Sequence, residues 1–407
     1  MQTFSSRPED TKSKAEFKKE NYFLSQPHQP FFIAGVIWAL VSMLIFMASY
    51  KLMLKGDAQT LLSPSSFHAY SLIFIVFTQF FIGFLYTTFS RFCQSEPVKK
   101  PYYIRTFFLY QLGSVLVSVG LFTSSALMYT GMGVLFLAQG VFLYMLQRIF
   151  TSAQAEIKDD PFWILTSIYI GTAAHALFIA ESILGWDYFS IPFAFNLYLI
   201  FLTFSVAQRM VPFFSHTLVQ KRSGFVVTVF FALIIKSFAD VLNKDIIESV
   251  VSLLLGLYIL FEAFRWKLSF SQAPNILKIL HIALFWMPIS LILGSFFTLG
   301  EVILQTGFAF ADVHMLALGF LTTIIIGFGT RVTLGHSGQP PHADTTTLIL
   351  FYITQVVVFV RLAYSIIFGF DLSMLWFFDL SLTLWIVMFV FWGWKFAPVL
   401  IRGKKEN

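Results

Sequence analysis

Eight histidines are the side chains of this 407-residue sequence that are best suited to bind a metal. A neutral imidazole is a ligand for iron, copper and zinc. The sequence has one cysteine, Cys93, so neither an internal disulfide nor a thiolate zinc site can form within the chain. A covalently attached c-type haem is also excluded, because it needs a Cys-x-x-Cys-His motif. Any haem must therefore be held non-covalently, by histidine, by another non-thiolate ligand or by Cys93 itself.

These histidines lie in a chain that is mostly apolar. Apolar residues make up 57% of the sequence and charged residues only 12%, while phenylalanine alone accounts for 52 positions. A soluble domain needs more charge than this on its surface, whereas a surface that faces lipid does not. The composition therefore predicts an integral membrane protein whose main partner is the lipid bilayer.

Long apolar segments predict how the chain crosses the membrane. About 20 helical residues span a bilayer core of roughly 30 Å. The apolar runs are too long, and alternate too little, to be strands of a β-barrel. The pattern is least regular at Ser124 and in the seventh span, which Lys236 interrupts. We predict an all-α bundle of about twelve transmembrane spans, over 30–53, 68–92, 105–125, 126–150, 161–183, 188–214, 224–241, 246–267, 276–299, 310–335, 346–369 and 372–398.

The spans divide the chain into a basic tail over residues 1–29, a membrane domain over 30–398 and a second basic tail over 399–407. Basic residues predict the orientation of the bundle. All but five of the 27 lysines and arginines lie on the side of the two tails. Because basic loops stay in the cytoplasm, both termini are predicted to be cytoplasmic. This asymmetry explains the net charge of +6 without any nucleic-acid partner.

Depth along the spans sorts five histidines into two levels. His68, His175 and His314 are predicted to lie towards the outer surface, and His281 and His336 towards the inner one. About 22 residues of helix, or roughly 33 Å, separate His314 from His336, so these two cannot bind the same metal. Ionisable side chains in lipid are costly and usually functional. The sequence therefore predicts two metal sites, or one metal site and one structural set.

Two arginines at the inner ends of spans have two alternative roles. Arg209 and Arg331 either anchor the helix ends at the membrane surface or bind the propionates of a haem, since a guanidinium pairs with a carboxylate through two parallel hydrogen bonds. The remaining polar side chains near the span ends are expected to be solvated or interfacial: His28, His216, His342, Glu181, Glu301 and Asp312.

A specific motif lies in the carboxyl-terminal third of the chain. The tenth span begins with Asp312-Val-His314 and ends with Thr330-Arg331-Val-Thr-Leu-Gly-His336-Ser-Gly. This resembles the signature of the NnrS family, in which a helix begins with His and ends in Thr-Arg-x-Ser/Thr-Leu-Gly-His-Ser/Thr-Gly. Further matches occur in the same order and extend the resemblance over residues 27–395: Pro30-Phe31-Phe32, His68, Gln208-Arg209-Met-Val-Pro212-Phe213-Phe214, and His281 followed by Trp286-Met-Pro288.

The resemblance implies a multi-pass protein of the bacterial inner membrane, associated with haem and copper and with the response to nitric oxide and nitrosative stress. It implies a non-covalent b-type haem, with or without copper, and leaves open whether the protein is an enzyme. One departure concerns the metal. The family often has His-x-His-Glu where this chain has His68-Ala69-Tyr70-Ser71. If the missing histidine binds copper, the metal content of this chain differs from that of other members.

Two other functions are compatible with the sequence. Twelve spans with cytoplasmic termini are common among secondary transporters, and helices interrupted near Pro192, Pro288 and Gly327 suit a binding site for a metal, haem or small metabolite. A haem–copper oxidase is less well supported, because few acids lie inside the spans. The sequence contains neither a phosphate-binding Gly-x-x-x-x-Gly-Lys loop nor a Gly-x-Ser-x-Gly elbow. It does not indicate an oligomeric state.

Spans 2 and 10 are alike in a limited way. Each begins with a histidine that is predicted to be outer, and each later contains Ile-Gly-Phe, at Ile82 and at Ile326. The spacing from histidine to this tripeptide differs by two residues between the spans. We attribute the likeness to chance.

Overall fold

The computed structural model describes residues 22–56, 60–372, 374 and 376–403, and within these residues the chain is all-helical, without strands. This confirms the predicted all-α membrane bundle. Twelve long helices follow one another in the described residues: α1 (His28–Leu54), α2 (Pro64–Phe92), α3 (Lys100–Thr123), α4 (Ser125–Thr151), α5 (Asp159–Leu184), α6 (Ser190–Phe214), α7 (Phe225–Val241), α8 (Asp245–Arg265), α9 (Asn275–Leu304), α10 (Ala311–His336), α11 (Thr345–Gly369) and α12 (Trp376–Arg402).

Eleven of these helices are long and apolar enough to cross a membrane, and α7 is the exception. It has 17 residues, which corresponds to a rise of roughly 26 Å. The predicted break between spans 3 and 4 occurs at Ser124, whose backbone is extended (φ −161°, ψ 127°). Gly120 of α3 and Gly131 of α4 lie directly against the backbone of the other helix. A side chain at either glycine would hold the two helices apart.

Three helices form the centre of the bundle. The fraction of the apolar window that is buried is 94% for α2 and 83% for both α6 and α10, which are the highest values among the eleven helices. These three are spaced four helices apart along the chain. Each also contains a π-helical segment close to its beginning: Ser71–Phe77, Ala194–Ile200 and Met315–Thr322.

Side-chain hydroxyls stabilise the π-helical segments. A π-helix disturbs the regular hydrogen bonding of the α-helix, and in lipid no water can compensate for a lost bond. The hydroxyl of Thr78 donates to the carbonyl of Ile73 over 2.7 Å, and the hydroxyl of Thr322 donates to that of Ala317 over the same distance. Both are contacts to the residue five positions earlier, which matches the π-helical repeat.

The first and last helices place both ends of the described chain on one face of the bundle, here called the terminal face. Gly403, which follows α12, lies against the ring of Tyr22, which precedes α1. At the opposite face, Lys51 near the end of α1 forms an ion pair with Asp379 near the start of α12, over 3.3 Å. Helix α1 begins at His28, close to the predicted tail boundary, and most of that tail lies outside the described residues.

The orientation of the terminal face leads to a testable prediction. Reporter domains fused after residue 407 and inserted beside Lys55 should report opposite compartments, with the carboxyl terminus in the cytoplasm, because basic residues concentrate on that side. The measurement is a paired assay with one reporter that is active in the cytoplasm and one that is active outside it. The same compartment for both fusions would contradict the predicted topology.

Candidate functional site

Two histidines from different central helices meet at the opposite face. His68 near the start of α2 and His314 near the start of α10 have ring centroids 6.4 Å apart and ring planes inclined by 19°. The π-helical segment of each helix starts shortly after its histidine, at Ser71 and at Met315. The ring of His68 also packs against Phe46 of α1, at 4.3 Å. The structure thus brings together two of the three predicted outer histidines.

A buried arginine from α11 lies beside this pair. Arg361 is 8% exposed, and its Nη2 lies 3.1 Å from Nδ1 of His314. The guanidinium donates to the carbonyl of Ala309 over 2.7 Å and to the hydroxyl of Ser365 over 2.6 Å. Within the described residues it has no carboxylate partner. A buried cation that is bound only by neutral groups is poorly compensated, and it therefore attracts an anion.

The third predicted outer histidine, His175 of α5, has different surroundings. Its Nε2 lies 2.9 Å from the hydroxyl of Tyr70, and its Nδ1 lies 2.7 Å from Oε1 of Gln139. The ring stacks on Phe74 with centroids 4.2 Å apart. Both nitrogens are engaged in hydrogen bonds, and Phe74 belongs to the π-helical segment of α2. These contacts favour a role for His175 in holding that segment in place.

The two predicted inner histidines have separate partners. His336 at the end of α10 lies against His28 at the start of α1, with ring centroids 4.9 Å apart. Nε2 of His281 lies 2.7 Å from the hydroxyl of Ser215, and its ring packs on Phe270. His28 is not solvated, because it is only 1% exposed, and its Nδ1 has no hydrogen-bond partner among the described residues. Sequence reasoning missed His28 because it precedes the apolar run of span 1.

A cavity of about 300 Å³ lies at the terminal face, between the ends of the three central helices. We call it the vestibule. Its charged lining consists of Arg91 from α2 and Arg331 from α10, and His336 lies beside them. The guanidinium of Arg331 stacks on the ring of Phe214 from α6, with its central carbon 3.9 Å from the ring centre. The other lining residues are Thr88, Met210, Phe328, Val332 and Gly335.

Arg209, the other arginine predicted to bind a cofactor, lies in an ion-pair cluster. Its Nη1 lies 3.1 Å from a carboxylate oxygen of Asp160, which also pairs with Lys221. Its guanidinium packs over Phe92 at 4.8 Å. The charge of Arg209 is thus balanced within the protein, unlike that of Arg331.

A comparison with known protein families gives a match that extends over nearly the whole chain. The sequence profile of the NnrS protein family matches residues 22–404, a range that includes all twelve helices, the histidine pair and the vestibule. The chain belongs to the NnrS family. This confirms the resemblance found in the sequence. A search of the curated proteins gives no match.

Other metal ligands are scarce in this NnrS protein. Cys93 follows α2 and is fully buried, and this burial raises the pKa of its thiol to about 11. A thiol that stays protonated is a poor ligand, since metals bind the thiolate. Within the described part of the chain, no three His, Cys, Asp or Glu side chains are grouped closely enough to hold one ion. The histidine pair therefore has no third protein ligand of these types.

Acidic side chains near the opposite face are more buried than the sequence suggested. Glu181 was expected to be solvated, but it is fully buried and accepts hydrogen bonds from the backbone N–H and hydroxyl of Ser190. Lys236 of α7 is 4% exposed and pairs with Glu248 of α8. Asp312 of α10 joins this pair at 3.6 Å from the ammonium group. The network connects the short helix α7 to the start of the helix that carries His314.

The Lys236 network gives a stability prediction. Replacing Lys236 with Ala leaves Glu248 without its cation, and removing one partner of a buried ion pair costs about 3–5 kcal/mol. The midpoint of thermal unfolding in detergent should fall clearly for Lys236→Ala. Lys244→Ala, which removes an exposed lysine from the same end of α7, is the control and should change stability by about 0.5 kcal/mol or less. Equal midpoints for the two variants would contradict a stabilising role of the network.

Proposed function

We propose that this NnrS protein binds a b-type haem through His68 and His314, as a protein of the bacterial inner membrane that acts in the response to nitric oxide and nitrosative stress. The observation that carries this proposal is the pairing of two imidazoles from separate buried helices. The link to nitrosative stress follows from family membership. The link to haem follows from the family and from the geometry and number of the available ligands.

The distance between the two rings suits one metal ion between them. With metal–nitrogen bonds of about 2 Å, two imidazoles on either side of an ion have ring centroids roughly 6 Å apart. The observed separation is 6.4 Å, with nearly parallel ring planes. Both histidines are only half-buried, and both lie at helix starts, so a planar group can reach them from the opposite face.

The number of ligands favours haem over a bare ion. A structural zinc ion takes four protein ligands, and the described part of the chain supplies no third His, Cys, Asp or Glu at this pair. A haem would bring nitrogen ligands of its own and would need only His68 and His314 from this chain. Copper also binds imidazole. The same two histidines are therefore a second, weaker candidate site for the copper that is associated with the family.

Arg361 supplies the charge that haem binding requires. The propionates of haem are carboxylates, and a guanidinium binds a carboxylate through short, charge-assisted hydrogen bonds. Arg361 lies within hydrogen-bonding distance of His314 and has no carboxylate partner among the described residues. A cation at this distance also disfavours the extra positive charge of oxidised haem. Sequence reasoning placed Arg361 inside a span, and a lone intramembrane arginine is itself a signal of function.

The pair of ligands restricts what the site can do. Bound haem would supply an iron that changes oxidation state and has affinity for nitric oxide. His68 and His314 would hold the haem beside the cation of Arg361, and the bound haem would supply electron transfer or gas binding at this position. The alternative function is a transporter that carries no haem, in which the same arginine would bind an anionic substrate.

The ligand assignment can be tested by absorption spectroscopy. His68→Ala and His314→Ala should each abolish or shift the Soret band of the purified protein, because each removes one of the two residues proposed to hold the haem. His342→Ala, which changes an exposed histidine of a loop, should leave the band unchanged. An unchanged band and unchanged metal content in both ligand variants would rule out this site. A colourless wild-type protein that moves a substrate would favour the transporter.

The role of Arg361 can be tested by redox titration. Arg361→Gln should lower the haem midpoint potential by on the order of 50 mV, because it removes a nearby buried cation that favours the reduced haem. Arg361→Lys is the matched control, since it keeps the charge, and its potential should stay closer to that of the wild type. Equal potentials for Arg361→Gln and wild type would show that Arg361 does not face the haem.

A further inference from the structure

We propose that the vestibule at the terminal face is a binding site for a small oxyanion of the phosphate type, held by Arg91 and Arg331. This site is separate from the histidine pair, and the proposal does not depend on haem binding. It rests on the charge of the vestibule, the geometry of its arginines and its enclosure by the three central helices.

The arginines that line the vestibule differ in charge compensation from several other arginines on this face. Three other arginines on the terminal face have carboxylate partners: Arg209 pairs with Asp160, while Arg222 and Arg265 both pair with Glu262. Arg91 and Arg331 come from different helices, line the same cavity, and have no carboxylate partner within the described residues. Two uncompensated guanidiniums in one cavity repel each other, and an anion between them converts this repulsion into attraction.

The contacts and burial of the Arg331 guanidinium suit it to bind an anion. One face of its guanidinium is covered by the ring of Phe214, at 3.9 Å. This contact restricts the guanidinium on one side, and its N–H donors, which make no hydrogen bond to the protein among the described residues, remain available to the cavity. Arg331 is half-buried, so its donors are partly removed from water. A fixed, partly desolvated guanidinium is well suited to bind an oxyanion through two parallel hydrogen bonds.

The volume of the vestibule suits a small anion, and part of its wall is apolar. A volume of about 300 Å³ holds about ten waters at roughly 30 Å³ each, which leaves room for one small anion with part of its hydration shell. Phe328 forms part of the wall. The same side chain lines an apolar cavity of about 40 Å³ deeper in the bundle, together with Phe32, Phe80, Phe81 and Phe84. This layer of phenyl rings borders the vestibule on the side that faces the middle of the bundle.

The source of the anion is restricted by distance. His314 and His336 are at opposite ends of α10, roughly 33 Å apart, so the propionates of a haem at the histidine pair do not reach the vestibule. The same chemistry is available in a free oxyanion and in the phosphate of a lipid headgroup. These two sources are distinguished by removing the lipid.

The test uses the full-length protein, purified without added haem and delipidated in a neutral detergent, with inorganic phosphate as the probe. Equilibrium dialysis should show saturable binding at one site. Arg331→Gln and Arg91→Gln should each weaken this binding about tenfold or more, because each removes charge-assisted hydrogen bonds. Arg91 is exposed, so its replacement does not endanger folding.

Two controls make the result specific. Arg148→Gln removes an exposed arginine that contacts Tyr144 outside the vestibule, and it should leave phosphate binding unchanged. His314→Ala should also leave it unchanged, which keeps the outcome separate from that of the haem proposal. Equal phosphate binding by wild type and by the Arg91→Gln, Arg331→Gln double variant would overturn the proposal.

A lipid experiment identifies the source of the anion. In nanodiscs of phosphatidylglycerol, the wild type should unfold at a higher temperature than in nanodiscs of a neutral glycolipid, which carries no phosphate, if a lipid phosphate fills the vestibule. The double variant should lose this difference. Stabilisation by free phosphate alone assigns the site to a soluble oxyanion. The proposal would be overturned if neither probe produced a response that depends on the two arginines.

Discussion

Backbone carbonyls in a membrane interior must find a donor within the protein, and the centre of this bundle depends on that requirement. In the π-helical segments of α2, α6 and α10, threonine hydroxyls donate hydrogen bonds to backbone carbonyls. Tyr110 of α3 donates to the carbonyl of Phe74, and Thr78 of α2 lies 2.8 Å from the hydroxyl of Tyr198 in α6. Tyr198 in turn fits against Gly171 of α5, where a side chain would not fit. These contacts connect the central helices to their neighbours in a single arrangement.

That arrangement determines where the chemistry lies. The beginnings of α2 and α10 carry the histidine pair, and the ends of α2, α6 and α10 form the vestibule. The layer of phenyl rings between the sites contains no charged group among its lining residues. Apart from Thr203, the side chains that line this cavity are apolar, so the region between the two sites is unfavourable for a charged species. The two ends of the bundle are chemically separate although the same helices build both.

The sequence was sufficient to predict the helices, because the requirement for about 20 apolar residues per span leaves little freedom. It also predicted that His68 and His314 lie at one level, since depth follows from counting residues along each span. The partners of Arg361, His28 and Lys236 could not be predicted, because they depend on which helices are neighbours. The likeness of spans 2 and 10, which we attributed to chance, has a structural counterpart: both contain a π-helical segment just after their histidine.

The shortness of α7 has a consequence for the surrounding lipid. Its rise of roughly 26 Å is less than the typical hydrocarbon thickness of about 30 Å, a mismatch that is accommodated by local thinning of the bilayer or by flanking residues that reach the interface. Its exposed apolar residues, among them Phe231, Ile235 and Phe238, form a surface suited to contact with lipid. Acyl-chain length will therefore act mainly on this side of the bundle, next to the ion pair of Lys236 and Glu248. A thick membrane would bring hydrocarbon closer to these charges, and a thin membrane would keep hydrocarbon further from them.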